Sequence, residues 1–398
     1  MDEKYLALAV PVFIVSMTAE GVIARKQGKR LYRLHDTIGS LACGIGQTLL
    51  GFWMNVLVIG TYVFVATFKL WDASALPHWA LFAGSLVFVD FCHYWFHRAS
   101  HRVNFLGAGH AVHHQSEEYN LSTALRQSWL EPLMSVPFYL PMAIAGVPVE
   151  MFVVTHTLQT LYQYWIHTRL VGSLGVVDRV LNTPSNHRVH HAINPEYIDK
   201  NYAGILILWD RIFGTWVPEK ATPAYGLVKP LSSFNPFWAN LSEWARIAAL
   251  SYGSKTTREA MFAPFAPPEW LPRSMGGTQD VPPVNPSRRL FDTNPGAKAD
   301  RYVMVQFGLV LAATGLLLRL TPRIEPVWHA GWIVWLLFGL GTLAGLMHGA
   351  RWAMVLERLR LALAPIMLAG VLGWGGGGGG AVFLLVSEIA RRRLSTRT

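Results

Sequence analysis

Long apolar segments recur along this 398-residue chain, and they constrain its fold more than any other feature. About 20 apolar residues suffice for a helix to cross the hydrocarbon core of a bilayer. Within lipid the backbone must satisfy its own hydrogen bonds, so such segments are expected to be helical. We predict five spanning helices, at residues 5–23, 45–68, 79–96, 302–318 and 327–347.

Two further apolar segments are interrupted. Residues 361–390 surround a run of six glycines at 375–380 and could form one long helix or a tight hairpin. We favour the hairpin, because it keeps the basic groups on both sides of the segment in one compartment. Residues 132–154 predict a re-entrant or kinked hairpin, because they are broken by Pro137, Pro141, Gly146 and Pro148. A helix is predicted to follow at residues 155–168.

Only 15% of the residues are charged, and the mean hydropathy is +0.29. Soluble domains are usually near a quarter charged, so the composition predicts an all-α, polytopic, integral membrane protein. The net charge of +10 lies largely in short basic clusters such as residues 25–33 and 391–393. That distribution fits topology signals and anionic lipid, and no nucleic-acid partner is expected. The two cysteines predict neither a disulfide framework nor a CxxC metal site.

Histidines are concentrated at two places. Residues 90–114 hold six of the 15 histidines, and residues 186–191 hold three more. The pattern H-x-x-H-H occurs once in each cluster, as His110, His113 and His114 and as His187, His190 and His191. Residues three and four apart lie on one face of a helix, so the side chains of each set can point together.

The clusters favour metal binding. A lone histidine would more often be an ordinary core residue, but neutral imidazole binds Zn, Cu, Fe and Ni, and many imidazoles converge here. Eight or more exceed the ligands of one zinc site, so we predict two metal ions. The pattern H-x-x-x-H fits both His93 with His97 and His97 with His101. His167 stands alone, and ligation and a structural role are equally compatible with its position.

Six motifs surround these histidines: HRASH at 97–101, GHAVHH at 109–114, EEYNLSTALRQS at 117–128, LYQYWIHT at 161–168, LNTPSNHRVHH at 181–191 and DKNYAGILILWDRIFGT at 199–215. They resemble the membrane di-iron fatty acid hydroxylase and sterol desaturase superfamily, and most closely its alkylglycerol monooxygenase branch. The resemblance is strong over residues 90–219. The flanking spans are similar only in hydrophobic character.

The resemblance implies a ligand set. Arginine follows the first histidine of the family's pair, which selects His97 with His101 and leaves His93 out. It also implies that His167 is a ligand. The nine implied metal ligands are His97, His101, His110, His113, His114, His167, His187, His190 and His191.

The resemblance also implies the chemistry. Two Fe(II) ions and dioxygen would hydroxylate a C–H bond of a lipid taken from the bilayer, although zinc could occupy the site in a purified sample. With an ether lipid, hydroxylation beside the ether oxygen gives a hemiacetal, which collapses to an aldehyde and a glycerol derivative. Tetrahydrobiopterin is the electron donor that the alkylglycerol branch implies, with a redox protein as the alternative.

Polar residues in and beside these motifs are candidates to orient the imidazole rings. Asp90 and Asn201 are favoured by their motif positions, and they are our candidate catalytic residues outside the ligand set. Five others could equally be caps or interfacial polar residues: Glu117, Glu118, Asn120, Asn186 and Asp199. Four aromatic residues could line a lipid tunnel, although a belt at the membrane interface explains them more simply: Trp95, Tyr162, Tyr164 and Trp165.

These patterns divide the chain into three parts: a membrane-embedded catalytic domain (1–219), a cytoplasmic loop or linker rich in proline, glycine and polar residues (220–300), and C-terminal transmembrane helices (301–398). The first apolar segment has acidic flanking residues and no small-residue cleavage site, so we interpret it as a retained anchor. The positive-inside rule places residues 25–33 in the cytoplasm. The histidine-rich cap, at the end of the third span, is then expected on the cytoplasmic side.

Other functions are compatible with clustered histidines. A zinc-dependent membrane hydrolase would need three or four essential histidines and a catalytic glutamate, but the sequence has no H-E-x-x-H motif. A transporter or metal-storage protein would tolerate the loss of any one histidine. Among oxygenases, hydroxylation or desaturation of fatty acyl, sterol, carotenoid or ornithine lipids is the alternative to ether cleavage.

Overall fold

Helices dominate the residues that the structure, a computed structural model, describes, which are 3–321 and 324–372. No strand is present in that part of the chain, so the predicted all-α class is confirmed. The α-helices, in chain order, are α1 (Glu3–Lys26), α2 (Leu34–Ala66), α3 (His78–Arg102), α4 (Asn104–His114), α5 (Leu121–Ala124), α6 (Glu131–Ile144), α7 (Val149–Trp165), α8 (Pro184–His190), α9 (Leu208–Ile212), α10 (Pro236–Gly253), α11 (Thr257–Phe262), α12 (Ala297–Leu320), α13 (Pro326–Met347) and α14 (Arg351–Leu372).

Within the described residues, four helices are long and apolar enough to cross a bilayer: α2, α3, α12 and α13. They correspond to the predicted spans at 45–68, 79–96, 302–318 and 327–347, which supports an integral membrane protein. Helix α2 begins at Leu34, earlier than expected, and its 33 residues extend for about 50 Å at 1.5 Å per residue. The predicted first span lies within α1, and its crossing of the bilayer stays a prediction.

Residues 132–154 form a helical hairpin. Helices α6 and α7 are joined by a short turn, and both pack against α3, which carries the first two predicted ligands. Gly146 in the turn has a φ of +78°, and a Cβ there would overlap the carbonyl oxygen of Trp71. Only glycine fits this position, because it has no Cβ and tolerates positive φ.

Residues 220–300 contain more regular structure than their composition predicts. Helix α10 packs against α4 and α2, and its Ala239 lies in a buried cluster with Cys43 and Val112. The side chain of Asn235 caps the first turn by accepting hydrogen bonds from two backbone N–H groups. Proline and glycine on both sides of this 18-residue helix dilute its periodicity in the sequence. The division of the chain into three domains stays a prediction.

The C-terminal helices α12, α13 and α14 pack around an apolar core that includes Trp332. A buried ion pair joins Arg360 to Glu357 (2.6 Å) within α14. The glycine run at 375–380, and most of the hairpin expected at 361–390, lie outside the described residues.

Candidate metal centre

The nine histidines implied as ligands come together in two adjoining groups. The five-histidine group contains His97, His101, His110, His114 and His190. The four-histidine group contains His113, His167, His187 and His191. Within each group, the ring nitrogens that could bind a metal lie within 4.8 Å of one another. The groups meet where the ring centroids of His114 and His191 are 4.3 Å apart.

Four helices deliver these side chains. Helix α3 carries His97 and His101, one turn apart near its C-terminal end. His167 lies just beyond the last turn of α7. The other six come from α4 and α8, and His191 is the C-terminal cap of α8. Helix α8 starts at Pro184, a residue suited to the first turn because no intrahelical N–H is needed there.

Each H-x-x-H-H motif contributes to both groups. In α4 the first and last histidines of the motif belong to the five-histidine group, and the middle one, His113, belongs to the four-histidine group. Around α8 the arrangement is reversed, so that only the middle histidine, His190, joins the five-histidine group. Adjacent residues point about 100° apart on a helix, which separates the middle side chain from its neighbour. Both groups therefore require both helices.

Hydrogen bonds fix the orientation of five of the rings. In four of them Nδ1 donates to a backbone carbonyl: His97 to Tyr202 (2.6 Å), His113 to Arg126 (3.0 Å), His167 to Gln163 (2.7 Å) and His190 to Lys200 (3.0 Å). In the fifth, His110 Nδ1 lies 3.4 Å from a carboxylate oxygen of Glu131. A carbonyl oxygen only accepts, so in the first four rings Nδ1 carries the proton and Nε2 keeps a lone pair.

Some of the Nε2 atoms approach one another too closely for their protonation state. His113 Nε2 and His167 Nε2 are 3.1 Å apart. Because both rings donate from Nδ1, both Nε2 atoms present lone pairs, and no proton lies between them. In the five-histidine group, His190 Nε2 lies 3.1 Å from His114 Nε2. A cation bound between these atoms removes the lone-pair repulsion, so the four-histidine group fits a metal ion. The five-histidine group is suitable too, because its ring nitrogens are clustered.

Burial keeps the rings in the form that binds metal. Eight of the nine histidines are buried, and His101 is partly exposed. Burial lowers the pKa of His113 to about 4 and holds the pKa values of His187, His190 and His191 well below the usual range. These imidazoles are neutral at pH 7, and neutral imidazole is the ligand form. In the described chain, His101 Nε2 is also buried without a hydrogen-bond partner.

An irregular loop, residues 199–206, supports the five-histidine group. Two of its carbonyls, those of Lys200 and Tyr202, hold histidine rings. Asp199 and Asn201 have positive φ angles of 60° and 55°. Aspartate and asparagine adopt this left-handed conformation more readily than most residues, which explains why they suit a loop of this shape.

Two buried carboxylates hold the loop in place. Asp90 on α3 and Asp210 on α9 are each no more than 1% exposed. Together they accept hydrogen bonds of 2.7–2.9 Å from four backbone N–H groups, those of Tyr202, Ala203, Ile205 and Leu206. Asp90 also accepts from the indole of Trp209 (3.0 Å). Neither carboxylate hydrogen bonds to a ligand ring, so both position the rings through the loop. Sequence reasoning singled out Asp90 but missed Asp210. The only indication of a role for Asp210 was its place in the motif at residues 199–215.

Asn201 also acts through the backbone. Its amide nitrogen donates to the carbonyls of Asn186 (3.0 Å) and Val217 (2.9 Å), and its oxygen accepts from Val217 N (2.9 Å). These bonds tie the loop to α8 and to the segment that follows α9. The predicted orienting role of Asn201 is compatible with this placement. Within the described residues, its side chain makes no hydrogen bond to a ligand ring.

The other predicted supporting residues make a helix cap, ion pairs and a hydrogen bond to a backbone carbonyl. Their partners are Arg288 for Glu117, Arg33 and Arg169 for Glu118, Ser122 N for Asn120, Asp178 O for Asn186 and Arg102 for Asp199.

Sequence reasoning missed Glu131, which approaches His110. The only indication in the sequence was an acidic residue at the start of an apolar hairpin. Loss of surrounding water raises the pKa of Glu131 to about 7.

The four aromatic candidates are dispersed. Tyr162 donates to the carbonyl of Asn182 (2.8 Å), and the hydroxyl of Tyr164 lies 2.6 Å from that of Ser16. Trp95 and Trp165 are partly exposed. A lipid-tunnel role for these residues stays a prediction.

The chain is similar to known proteins. The Fatty acid hydroxylase family matches residues 82–215. The alkylglycerol monooxygenase of Xenopus tropicalis is 37% identical over 315 residues, covering 77% of this chain and 69% of the relative. The Homo sapiens enzyme is 36% identical over 312 residues (77% and 70%), and the Danio rerio enzyme is 36% identical over 373 residues (92% and 82%). No solved structure matches the chain. The chain belongs to the alkylglycerol monooxygenase family, within the fatty acid hydroxylases.

Proposed function

We propose that this membrane oxidoreductase is a di-iron lipid monooxygenase that cleaves the ether bond of alkylglycerols. The observation that carries the metal assignment is the pair of facing lone pairs on His113 and His167. The relatives' printed activity supports the substrate class, since they are alkylglycerol monooxygenases. The nine imidazoles would hold two iron ions, one in each group.

The reaction consumes one dioxygen, two electrons and two protons. One oxygen atom enters the C–H bond beside the ether oxygen and the other leaves as water; the resulting hemiacetal collapses to an aldehyde and a glycerol derivative. Bound iron would supply the activation of dioxygen. The protein holds the rings neutral, fixes Nε2 toward each metal position by outward Nδ1 hydrogen bonds, and excludes water from the buried groups. Tetrahydrobiopterin is the proposed electron donor, and a redox protein is the alternative.

We place this site on the cytoplasmic side of the membrane. The basic segment 25–33 connects α1 to α2, and basic connections favour the cytoplasm. It also contacts the metal-bearing region: Arg33 pairs with Glu118 (3.0 Å), and Asn120 donates to the carbonyl of Leu31 (2.6 Å). The topology signal and the histidine groups therefore lie on one side of the structure.

The test is metal analysis of the chain, purified without air from iron-supplied membranes, together with oxygen uptake on an alkylglycerol with tetrahydrobiopterin. We expect two irons per chain and pterin-dependent aldehyde release. His113→Ala should abolish aldehyde release. His78→Ala, an exposed histidine at the far end of α3, is the matched control and should retain it.

Other outcomes would redirect the assignment. Two irons without aldehyde would contradict ether cleavage and direct attention to fatty acyl, sterol, carotenoid and ornithine lipids. A single zinc with no oxygen uptake, from membranes given ample iron, would overturn the di-iron proposal and favour a hydrolase.

A further inference from the structure

The outer face of helix α10 is apolar. The exposed residues of this helix follow one side of it, and none is charged: Trp238, Leu241, Ala245, Ala248, Ala249 and Tyr252. A helix that faces water usually carries charged and polar residues on its outer face. In α10 polar side chains are directed toward the protein instead, since Asn240 is buried and Arg246 donates to the side-chain oxygen of Asn104 (2.6 Å). The polarity of α10 is therefore the reverse of that of a helix in water.

The apolar surface continues onto α11. The hydroxyl of Ser251 in α10 donates to the carbonyl of Ala260 in α11 (3.0 Å), so the two helices are neighbours. Met261 and Phe265 are 71% and 66% exposed, and Phe262 between them is 47% exposed. Adjoining exposed apolar side chains of this kind usually mark an interaction site. We call the six exposed residues of α10, together with Met261, Phe262 and Phe265, the α10–α11 face.

Hydrogen bonds hold the end of α11 beside the end of a predicted membrane span. Helix α3 ends at Arg102, on the side of the structure where it carries the first two metal ligands. Directly after it, Asn104 N donates to the carbonyl of Ala266 (2.9 Å) and Phe105 N donates to that of Pro264 (2.7 Å). The residues that follow α11 therefore lie where α3 reaches the membrane boundary.

Two other spans place α10 at the same level. Ala239 packs in a buried cluster with Cys43 of α2, which directly precedes the apolar segment 45–68. Phe237 lies close to Gly341, near the C-terminal end of α13, since a Cβ on Gly341 would be 3.2 Å from its ring. Helix α10 is not among the helices apolar enough to cross a bilayer. It therefore lies beside the ends of the spans, at the level of the lipid headgroups.

Three cations adjoin the α10–α11 face. Lys255, Arg258 and Arg273 are exposed, and none of their side chains pairs with a carboxylate within the described residues. Basic residues beside an apolar surface attract anionic lipid. Trp238 and Tyr252 lie at opposite ends of the apolar side of α10, and these residue types are enriched at membrane interfaces. Charge and side-chain type therefore favour an anionic bilayer as the partner of this face.

We propose that the α10–α11 face is embedded in the headgroup layer of the membrane and binds anionic phospholipid there. Its apolar side chains reach the acyl chains, and the three cations face the phosphates. This part of the predicted cytoplasmic linker is then a membrane-bound element. Because α10 packs against α4, which carries three of the metal ligands, the face sets the depth of that helix at the bilayer surface. The proposal does not depend on ether cleavage.

The experiment measures lipid contact at single positions of the full-length protein in bilayer nanodiscs of phosphatidylcholine and phosphatidylserine. Ala248→Cys and Met261→Cys place a thiol on the face. Ser287→Cys, at an exposed position of the same linker, is the matched control. The two native cysteines are buried, so an environment-sensitive fluorophore should attach to the introduced thiol. Phospholipids that carry a nitroxide near the headgroup serve as quenchers.

We expect several-fold stronger quenching and a blue-shifted emission at positions 248 and 261 than at position 287. Quenching at 248 and 261 no stronger than at 287 would overturn the proposal. A blue shift without lipid quenching, together with cross-linking between two chains through these positions, would assign the face to a second copy and would also overturn it.

The role of the cations is tested in Met261→Cys protein with nitroxide-labelled phosphatidylserine and phosphatidylcholine. We expect stronger quenching by phosphatidylserine, and we expect Lys255→Gln with Arg258→Gln to remove that preference. Lys220→Gln, at an exposed lysine, is the control and should retain it. Equal quenching by the two lipids in the protein without these charge substitutions would overturn the binding of anionic lipid. Neither measurement requires turnover, so both are independent of the proposed reaction.

Discussion

Both histidine groups offer imidazole nitrogens as metal ligands, but different kinds of structure hold the rings in place. In the five-histidine group, His97 and His190 donate to carbonyls of the irregular loop 199–206, which depends on buried side chains. In the four-histidine group, His167 donates to a carbonyl within α7, and His113 to that of Arg126, just after α5. The Gln163 carbonyl is part of a helix and keeps its position without side-chain help, whereas the Arg126 carbonyl lies outside any helix. The support of His97 and His190 is therefore expected to be more sensitive to single substitutions than that of His167.

The largest expected effect comes from removing one imidazole from each group. His187→Ala leaves three donors in its group, and His190→Ala leaves four in the other. We expect both variants to lose aldehyde release, but His187→Ala to lose one bound ion per chain and His190→Ala to retain more metal. Metal analysis of the purified variants measures the difference. Equal retention would show that the number of imidazoles does not distinguish the groups.

A smaller effect is expected from the carboxylate that holds the loop. Asp210→Asn keeps the shape of the side chain but replaces one acceptor oxygen with a donor that faces backbone N–H groups. A direct outer hydrogen bond to a metal ligand is typically worth about 10–100-fold in affinity or activity. Asp210 acts one step further away, through the loop backbone, so we expect a loss of about 10-fold. Metal loss should be confined to one ion per chain. Asp280→Asn, at an exposed aspartate, is the control; loss of both ions in Asp210→Asn alone would contradict separate supports.

The smallest effect concerns the backbone of the loop. Asn201→Gly and Asn201→Ala both remove the side-chain hydrogen bonds, but only alanine keeps a Cβ at a φ of 55°. We expect the alanine variant to be less stable than the glycine variant by about 1 kcal/mol, the usual cost of a left-handed residue. Thermal unfolding in detergent measures this difference. Equal stability would mean that the loop relaxes and that its conformation is not imposed by the fold.

Residue spacing accounts for much of what could be predicted. Histidines four apart were predicted to converge, and the structure does group His97 with His101, His110 with His114 and His187 with His191. The middle histidine of each H-x-x-H-H motif instead joins the other group, and His167 was implied only by the family resemblance. The assignment of each histidine to a group could not be predicted, because it depends on how α4 and α8 cross. Spacing along one helix carries no information about the orientation of a second helix.

The supports were harder to predict than the ligands. Carbonyl acceptors such as that of Tyr202 have no sequence signature, since every residue has a carbonyl. Asp210 could not be distinguished from an ordinary polar residue, because its role depends on a loop held by bonds between distant segments. Helix α10 was missed for a local reason: the composition around it is typical of loops.

Each H-x-x-H-H motif contributes histidines to both groups, and this affects how the two metal positions assemble. Because each motif supplies both metal positions, neither position exists until α4 and α8 have docked against each other. The first ion to bind therefore selects the docked arrangement of both helices, and the second ion meets donors that are already ordered. At limiting metal, loading of the unsubstituted protein is expected to be cooperative, with few chains carrying a single ion. In excess metal, a variant that lacks one position can still fill the other. During maturation, this enzyme would then be found mainly in two forms, one without metal and one with both ions bound.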